Sequence, residues 1–111
     1  MLPKKHRLNK DILKKVLKFG KRFDSQAVYL KVIHTKDNNP TFSFVVSKKT
    51  AKSAVKRNTI KRRARHIVWK NIGLFVSGAT AVYFFKPGSE KLKSKELEKE
   101  ILGVSRKANI I

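Results

Sequence analysis

The chain contains no cysteine. That excludes a disulfide scaffold, a thiolate nucleophile and a thiolate metal site. It has no apolar run near the roughly 18 residues that a bilayer-spanning helix needs. The opening Met1-Leu2-Pro3-Lys4-Lys5-His6-Arg7 lacks the apolar stretch of a secretory signal. Acid is scarce: Asp11, Asp24, Asp37, Glu90, Glu96, Glu98 and Glu100 are the whole complement, and none lies between Asn38 and Ser89. A protein nuclease needs carboxylates gathered around metal ions or a histidine acid–base pair. Scattered acids do not supply the first. His6, His34 and His66 share no helical or metal-ligand spacing, so each reads as an isolated surface imidazole. No P-loop, glycine-rich nucleotide loop or Gly-x-Ser-x-Gly elbow is present.

What the chain does have is cation. Lys and Arg number 28 against 7 Asp and Glu, giving a net charge of +21 on 111 residues, a length suited to one domain spanning 1–111. Apolar residues make up 41%, with seven Phe, one Trp and two Tyr, enough for a modest core. Such a chain repels itself until a polyanion neutralises it, and nucleic acid is the leading candidate. With neither a leader nor a membrane segment in view, the expected location is cytoplasmic.

Periodicity outlines the elements. Asn9 caps a first helix over 9–19, with Asp11 in its first turn, an apolar stripe of Ile12, Leu13, Val16, Leu17 and Phe19, and Gly20 as a C′ terminator. Phe19 is assigned to packing. Residues 27–35 alternate, with Val28, Leu30 and Val32 opposed to Tyr29, Lys31 and Ile33. After the turn Asp37-Asn38-Asn39-Pro40, a second strand opposes Phe42, Phe44 and Val46 to Ser43 and Val45, and the simplest pairing of these two strands is an antiparallel hairpin. Phe42 and Phe44 are assigned to the core. A long helix over 51–71, a buried strand at 79–85 and a final helix capped by Ser94 complete the order.

The long helix carries most of the information. At about 100° per residue, Asn58, Lys61, Arg62 and Arg65 share an arc of roughly 100°, and Ile60, Ala64, Ile67 and Val68 share another. One side is thus apolar. The other presents three cations and an amide suited to phosphate oxygens and 2′-hydroxyls. Trp69 projects near the basic side, where packing against its own chain is the preferred reading over base stacking.

From Lys48-Lys49 through Arg57-Asn58-Thr59-Ile60-Lys61-Arg62-Arg63-Ala64-Arg65, the chain resembles the bacterial RNase P protein subunit. That signature has a strand ending in Lys-Lys, then a helix bearing Arg-Asn-x-x-Lys-Arg-x-x-Arg. Arg7-Leu8, Gly20-Lys21-Arg22 and Lys86 extend the resemblance over nearly the whole chain. It departs at Thr59, where many relatives carry Arg, and at Leu13 and Leu17, which stand where many relatives carry Phe.

The resemblance implies an α+β fold. The expected form is a single-domain α/β sandwich of αβββαβα type, like a domain of a small-subunit ribosomal protein, with a left-handed crossover between parallel strands. It implies no catalytic residue and no metal or cofactor in the protein, with Mg2+ and the catalytic centre in the RNA. The expected partners are RNase P RNA and precursor tRNA, with no membrane and no DNA. It also implies two sets of site residues. Lys48, Lys52, Lys56, Arg57, Asn58, Lys61, Arg62 and Arg65 would dock on RNase P RNA. Leu13, Leu17, Tyr29, Lys31, Ser43, Val45 and Lys49 would line a cleft for the 5′ leader. The main rival is a ribosomal or general structural RNA-binding protein with no processing role. A DNA-binding helix is disfavoured because 42–49 reads as a strand where a helix-turn-helix needs a helix.

Overall fold

The computed structural model describes residues 2–111. Three helices and a four-stranded sheet follow the chain in the order α1 (Lys10–Phe19), β1 (Lys21–Asp24), β2 (Val28–His34), β3 (Thr41–Val46), α2 (Ala54–Lys70), β4 (Ala79–Phe85) and α3 (Ser94–Lys107). This is the αβββαβα arrangement. The sheet order is β1-β2-β4-β3. β1 pairs antiparallel with β2, β2 antiparallel with β4, and β3 parallel with β4.

The expected hairpin of β2 and β3 does not form, because β4 inserts between them. The reason lies in burial. Six of the seven β4 residues are buried, and only a central strand covers its backbone and both faces at once. The hairpin is instead β1–β2, and β1 had no period-2 signature in the sequence. Its Lys21, Arg22, Phe23 and Asp24 form a short edge strand, exposed at Lys21 and Arg22 and half-buried at Phe23 and Asp24, held by register with Val32 to Tyr29.

One face of the sheet carries the main core. Val28, Leu30 and Val32, Phe42, Phe44 and Val46, and Ala81, Tyr83 and Phe85 pack against Ile60, Ala64, Ile67 and Val68 of α2 and Leu97, Ile101 and Val104 of α3. Phe42 meets Phe75 edge-on at 4.8 Å between ring centroids. The Tyr83 hydroxyl has no exposure and lies 2.5 Å from Ser105 Oγ, which lies 2.7 Å from the Ile101 carbonyl. Burial raises the Tyr83 phenol well above its ordinary pKa, and the Ser105 bond opposes that only in part.

The other face, with Tyr29, Lys31, Val82, Phe84, Ser43 and Val45, receives α1. Val16 and Val82 are fully buried there, and Lys31 Nζ donates to the Leu17 carbonyl at 3.3 Å. Asn9 caps α1 as expected, its side-chain oxygen accepting from Ile12 N–H at 2.9 Å. Gly20 closes α1 for a different reason than expected. Its backbone is extended (φ −66°, ψ 141°), and the requirement is space, because a Cβ would collide with the Val16 carbonyl oxygen. Gly78 does need the left-handed region, at φ 78°, where its carbonyl accepts from Thr35 N–H at 2.8 Å.

Three further assignments change. Phe19 is 72% exposed: α1 ends there and the chain turns at once into β1, leaving Lys18 Nζ rather than core beside the ring, 5.3 Å from its centroid. His6 is buried, not a surface imidazole, with Nδ1 2.7 Å from the Pro40 carbonyl. Ser94 is the first residue of α3 rather than its cap, and Glu96 reaches back to accept from Lys93 N–H at 3.0 Å.

Candidate nucleic-acid interface

α2 begins at Ser53, whose hydroxyl accepts from Lys56 N–H, and its first turn holds no acid. A helix N-terminus favours anions. Here Lys52 and Lys56 crowd that end instead, with Lys48 and Lys49 exposed on the preceding turn. This arrangement disfavours the isolated protein and favours an incoming phosphate. The Arg57 guanidinium is partly used within the chain. Its Nη1 donates to the carbonyls of Ala51 at 3.0 Å and Lys52 at 2.8 Å, which holds the basic turn against the helix. Thr50 Oγ1 fixes the same turn from the other side by donating to the Phe85 carbonyl at 2.6 Å.

Along α2, Ile60, Ala64, Ile67 and Val68 are buried. Asn58 and Arg62 are exposed, and Lys61 and Arg65 are half-buried at the helix's flank. Among the described residues only three ion pairs form, Arg22–Asp24, Lys70–Glu98 and Lys86–Asp24, and none involves Lys61, Arg62 or Arg65. Arg63 points elsewhere, its Nη2 donating to the Leu92 carbonyl at 2.5 Å and tying α2 to the approach of α3.

The sequence left Arg7 out of this surface. Residues 7 and 8 lie along the free edge of β3: Arg7 bridges Phe42 and Leu8 N–H donates to the Phe42 carbonyl at 3.2 Å. Arg7 thereby joins Lys61 and Arg65 around a depression of about 210 Å³. Its Nε donates to the Leu2 carbonyl at 2.9 Å. The segment is anchored by the buried His6, whose ring centroid lies 6.0 Å from that of Trp69. Trp69 is 38% exposed, so it is neither a core ring nor a free stacking platform. Only the distance between an N-terminal Arg and a mid-chain helix, closed by the sheet edge, reveals Arg7.

The second expected set falls on the α1 side of the sheet. Tyr29 and Lys31 on β2 and Ser43 and Val45 on β3 share that face, separated by Val82 and Phe84 of β4. α1 packs over β2 and β4, with Leu13 half-buried and Leu17 41% exposed. Ser43 and Val45 remain half-buried beside it, and Lys49 stands exposed beyond the end of β3. Two aromatic features were not foreseen. Phe84 stacks on Tyr29 at 4.6 Å with 4° between the rings, and the Arg22 guanidinium lies 3.8 Å from the Tyr29 centroid. Asp24 orients Arg22 through bonds of 2.8 and 3.0 Å and also pairs with Lys86 at 3.0 Å. Arg22, then Lys86, hold the Asp24 carboxyl far below the usual carboxylate range.

No group of three or more His, Cys, Asp or Glu among the described residues is placed to hold a metal ion. Among the described residues no helix is long and apolar enough to cross a membrane. A basic helix without internal counter-charges, flanked by a second basic segment on a small α+β scaffold, has the character of a nucleic-acid-binding protein. Comparison with known proteins narrows the class. The ribonuclease P family model matches residues 2–109. The ribonuclease P protein component of Finegoldia magna is 38% identical over 94 residues, covering 85% of this chain and 81% of that protein. That of Microcystis aeruginosa is 29% identical over 117 aligned positions, covering 99% and 96%. Among solved structures, the Staphylococcus aureus RNase P protein superposes with a TM-score of 0.85 at 17% identity, covering 95% of this chain and 96% of that one. The Thermotoga maritima RNase P protein gives 0.80 at 21% identity, covering 90% and 96%. The chain belongs to the ribonuclease P protein family, and its role is that of the protein subunit in tRNA 5′-end processing.

Proposed function

We propose that this chain, as one domain over residues 1–111, docks on RNase P RNA through α2 and holds the 5′ leader of precursor tRNA on the α1 face of the sheet. Hydrolysis of the phosphodiester, with its Mg2+, then belongs to the RNA. The observation that carries the first half is the face of α2 itself: Lys61, Arg62 and Arg65 have no acidic partner among the described residues, and Arg7 is brought beside Lys61 and Arg65 by the β3 edge. Arg forks and Lys ammonium groups meet phosphate oxygens there, and Asn58 is placed for a 2′-hydroxyl or base edge. Lys48, Lys52 and Lys56 extend the contact at the helix N-terminus, and Arg57 both orients that turn and offers its remaining N–H groups.

On the other face, Tyr29 and Phe84 supply flat apolar surface, Lys31 and Lys49 supply charge, and Leu13, Leu17, Ser43 and Val45 form the borders. Leu at 13 and 17 cannot stack as an aromatic would, and Tyr29 is itself sandwiched between Phe84 and the Arg22 guanidinium, so the leader is held here by apolar packing and charge. The cytoplasm is the compartment in which such a subunit meets its substrate.

The test is two-armed. Arg62→Ala with Arg65→Ala lowers the slope of log affinity for RNase P RNA against log salt by about one unit per lost contact. Shortening the leader removes the preference of the reconstituted enzyme for precursor over mature tRNA. An unchanged slope refutes the docking face, and indifference to leader length refutes the cleft.

A further inference from the structure

A second depression opens beside the docking face and takes only Arg62 and Arg65 from it. It is a groove of about 560 Å³ between α2 and α3. Arg62, Arg65, His66 and Lys70 line it from α2, Ser94 and Lys95 line it from α3, and Ile67 contributes apolar floor. Glu98 is its only carboxylate, and that group is already satisfied by Lys70 Nζ at 3.0 Å and Asn71 Nδ2 at 2.9 Å. Arg63, also on the wall, is committed to the Leu92 carbonyl. The side chains of Arg62, His66 and Lys95 form no hydrogen bond or ion pair with any described residue.

Arg65 is the connecting element. It lines both this groove and the depression that holds Arg7 and Lys61. The two depressions therefore lie on either flank of α2 and share one guanidinium. Cations run without interruption from Arg7 across α2 to Lys95. A protein partner would need a continuous acidic strip folded over a convex helix, whereas an RNA backbone carries its phosphates at regular spacing and bends over such a ridge.

We infer that the RNA-docking surface does not stop at α2 but crosses it. The α2–α3 groove is a second phosphate-binding site for the same RNA, with Lys95, Ser94 and His66 as contacts that α3 and the far side of α2 contribute. This rests on the docking face proposed above. Lys95 is the diagnostic residue because it is exposed and lies in the first turn of α3.

Lys95→Glu places an anion where the helix dipole favours one, so folding is not harmed. Arg106→Glu makes the same change of charge in the last turn of α3, exposed and about 16 Å further along the helix axis, away from the groove. The experiment measures affinity of the full chain for RNase P RNA across a salt series, with thermal melting of each variant and backbone footprinting of the RNA. Lys95→Glu is expected to weaken binding about tenfold and lower the salt slope by about one unit, and to expose backbone positions that the parent protects. Arg106→Glu is expected to stay within about twofold of the parent, a small distant-charge effect. Equal affinities for the two variants, with both folded, overturn the groove. An unchanged Lys61→Ala, which lines the docking depression and not the groove, beside a weakened Lys95→Glu overturns the docking face and keeps the groove, so the two readings fail separately.

Discussion

Removing the Ser105 hydroxyl tests how the sheet is joined to α3. Tyr83 lies on the central strand with no exposure, and its hydroxyl finds Ser105 Oγ at 2.5 Å. Ser105→Ala leaves that phenol buried without a partner, which costs about 1–3 kcal/mol. Tyr83→Phe removes the phenol instead and leaves Ser105 donating to the Ile101 carbonyl at 2.7 Å, so it costs about 0.5–1.5 kcal/mol. The double variant has no orphaned group and is expected to be more stable than Ser105→Ala alone, giving a favourable coupling of about 1 kcal/mol. For a chain of this size each kcal/mol moves the melting midpoint by about 4 °C. Thermal unfolding followed by circular dichroism reads all four proteins.

The same phenol sets an alkaline limit. Its folded pKa is raised, so its contribution is fully present below the ordinary tyrosine pKa of about 10 and is lost as pH climbs above that. Tyr83→Phe flattens this alkaline loss. Additive single effects, or a Ser105→Ala milder than Tyr83→Phe, refute the reasoning. RNA affinity measured below the melting transition should not change, because neither side chain reaches the surface.

Asp24 acts at the opposite end of the pH scale. Its folded pKa is depressed by Arg22 and Lys86, so the stability it gives is present above the ordinary carboxylate pKa of about 4 and lost on further acidification. Asp24→Asn should abolish that acid-dependent part and loosen Arg22 from Tyr29, weakening precursor binding while leaving binding to RNase P RNA intact; loss of both would refute the separation of the two surfaces. His6→Ala removes the buried bond to the Pro40 carbonyl and the contact with Trp69. It should cost about 1–3 kcal/mol and weaken RNA binding to the level of Arg7→Ala. RNA affinity equal to that of the parent would show that the N-terminal segment does not carry Arg7 into the interface.

The parts legible in the sequence were those where one physical rule decides. β4 was found at residues 79–85 because a compact apolar run between Gly78 and Lys86-Pro87-Gly88 has few other fates. The apolar stripe of α2 was found because Ile60, Ala64, Ile67 and Val68 follow the helical period. The pairing of strands was not legible. Sequence neighbours favour a hairpin, and only the need to bury both faces of β4 places it between β2 and β3. β1 was missed because a short edge strand has no apolar alternation to betray it. His6 and Phe19 were misassigned for one reason: local patterns do not report what long-range packing places over a side chain. Arg7, Phe84 and Lys95 share that origin, since each meets its neighbours only through the folded sheet or the packing of α2 on α3.

In the proposed function this protein aids a reaction whose chemistry lies in RNA. Single-turnover cleavage of precursor tRNA, with transcribed RNase P RNA and the chain together and with the chain alone, tests it most directly. The two together should release the leader and leave a 5′-phosphate on the mature tRNA at magnesium concentrations where the RNA alone is slow, and the chain alone should release nothing. Cleavage by the RNA-free chain would contradict the account.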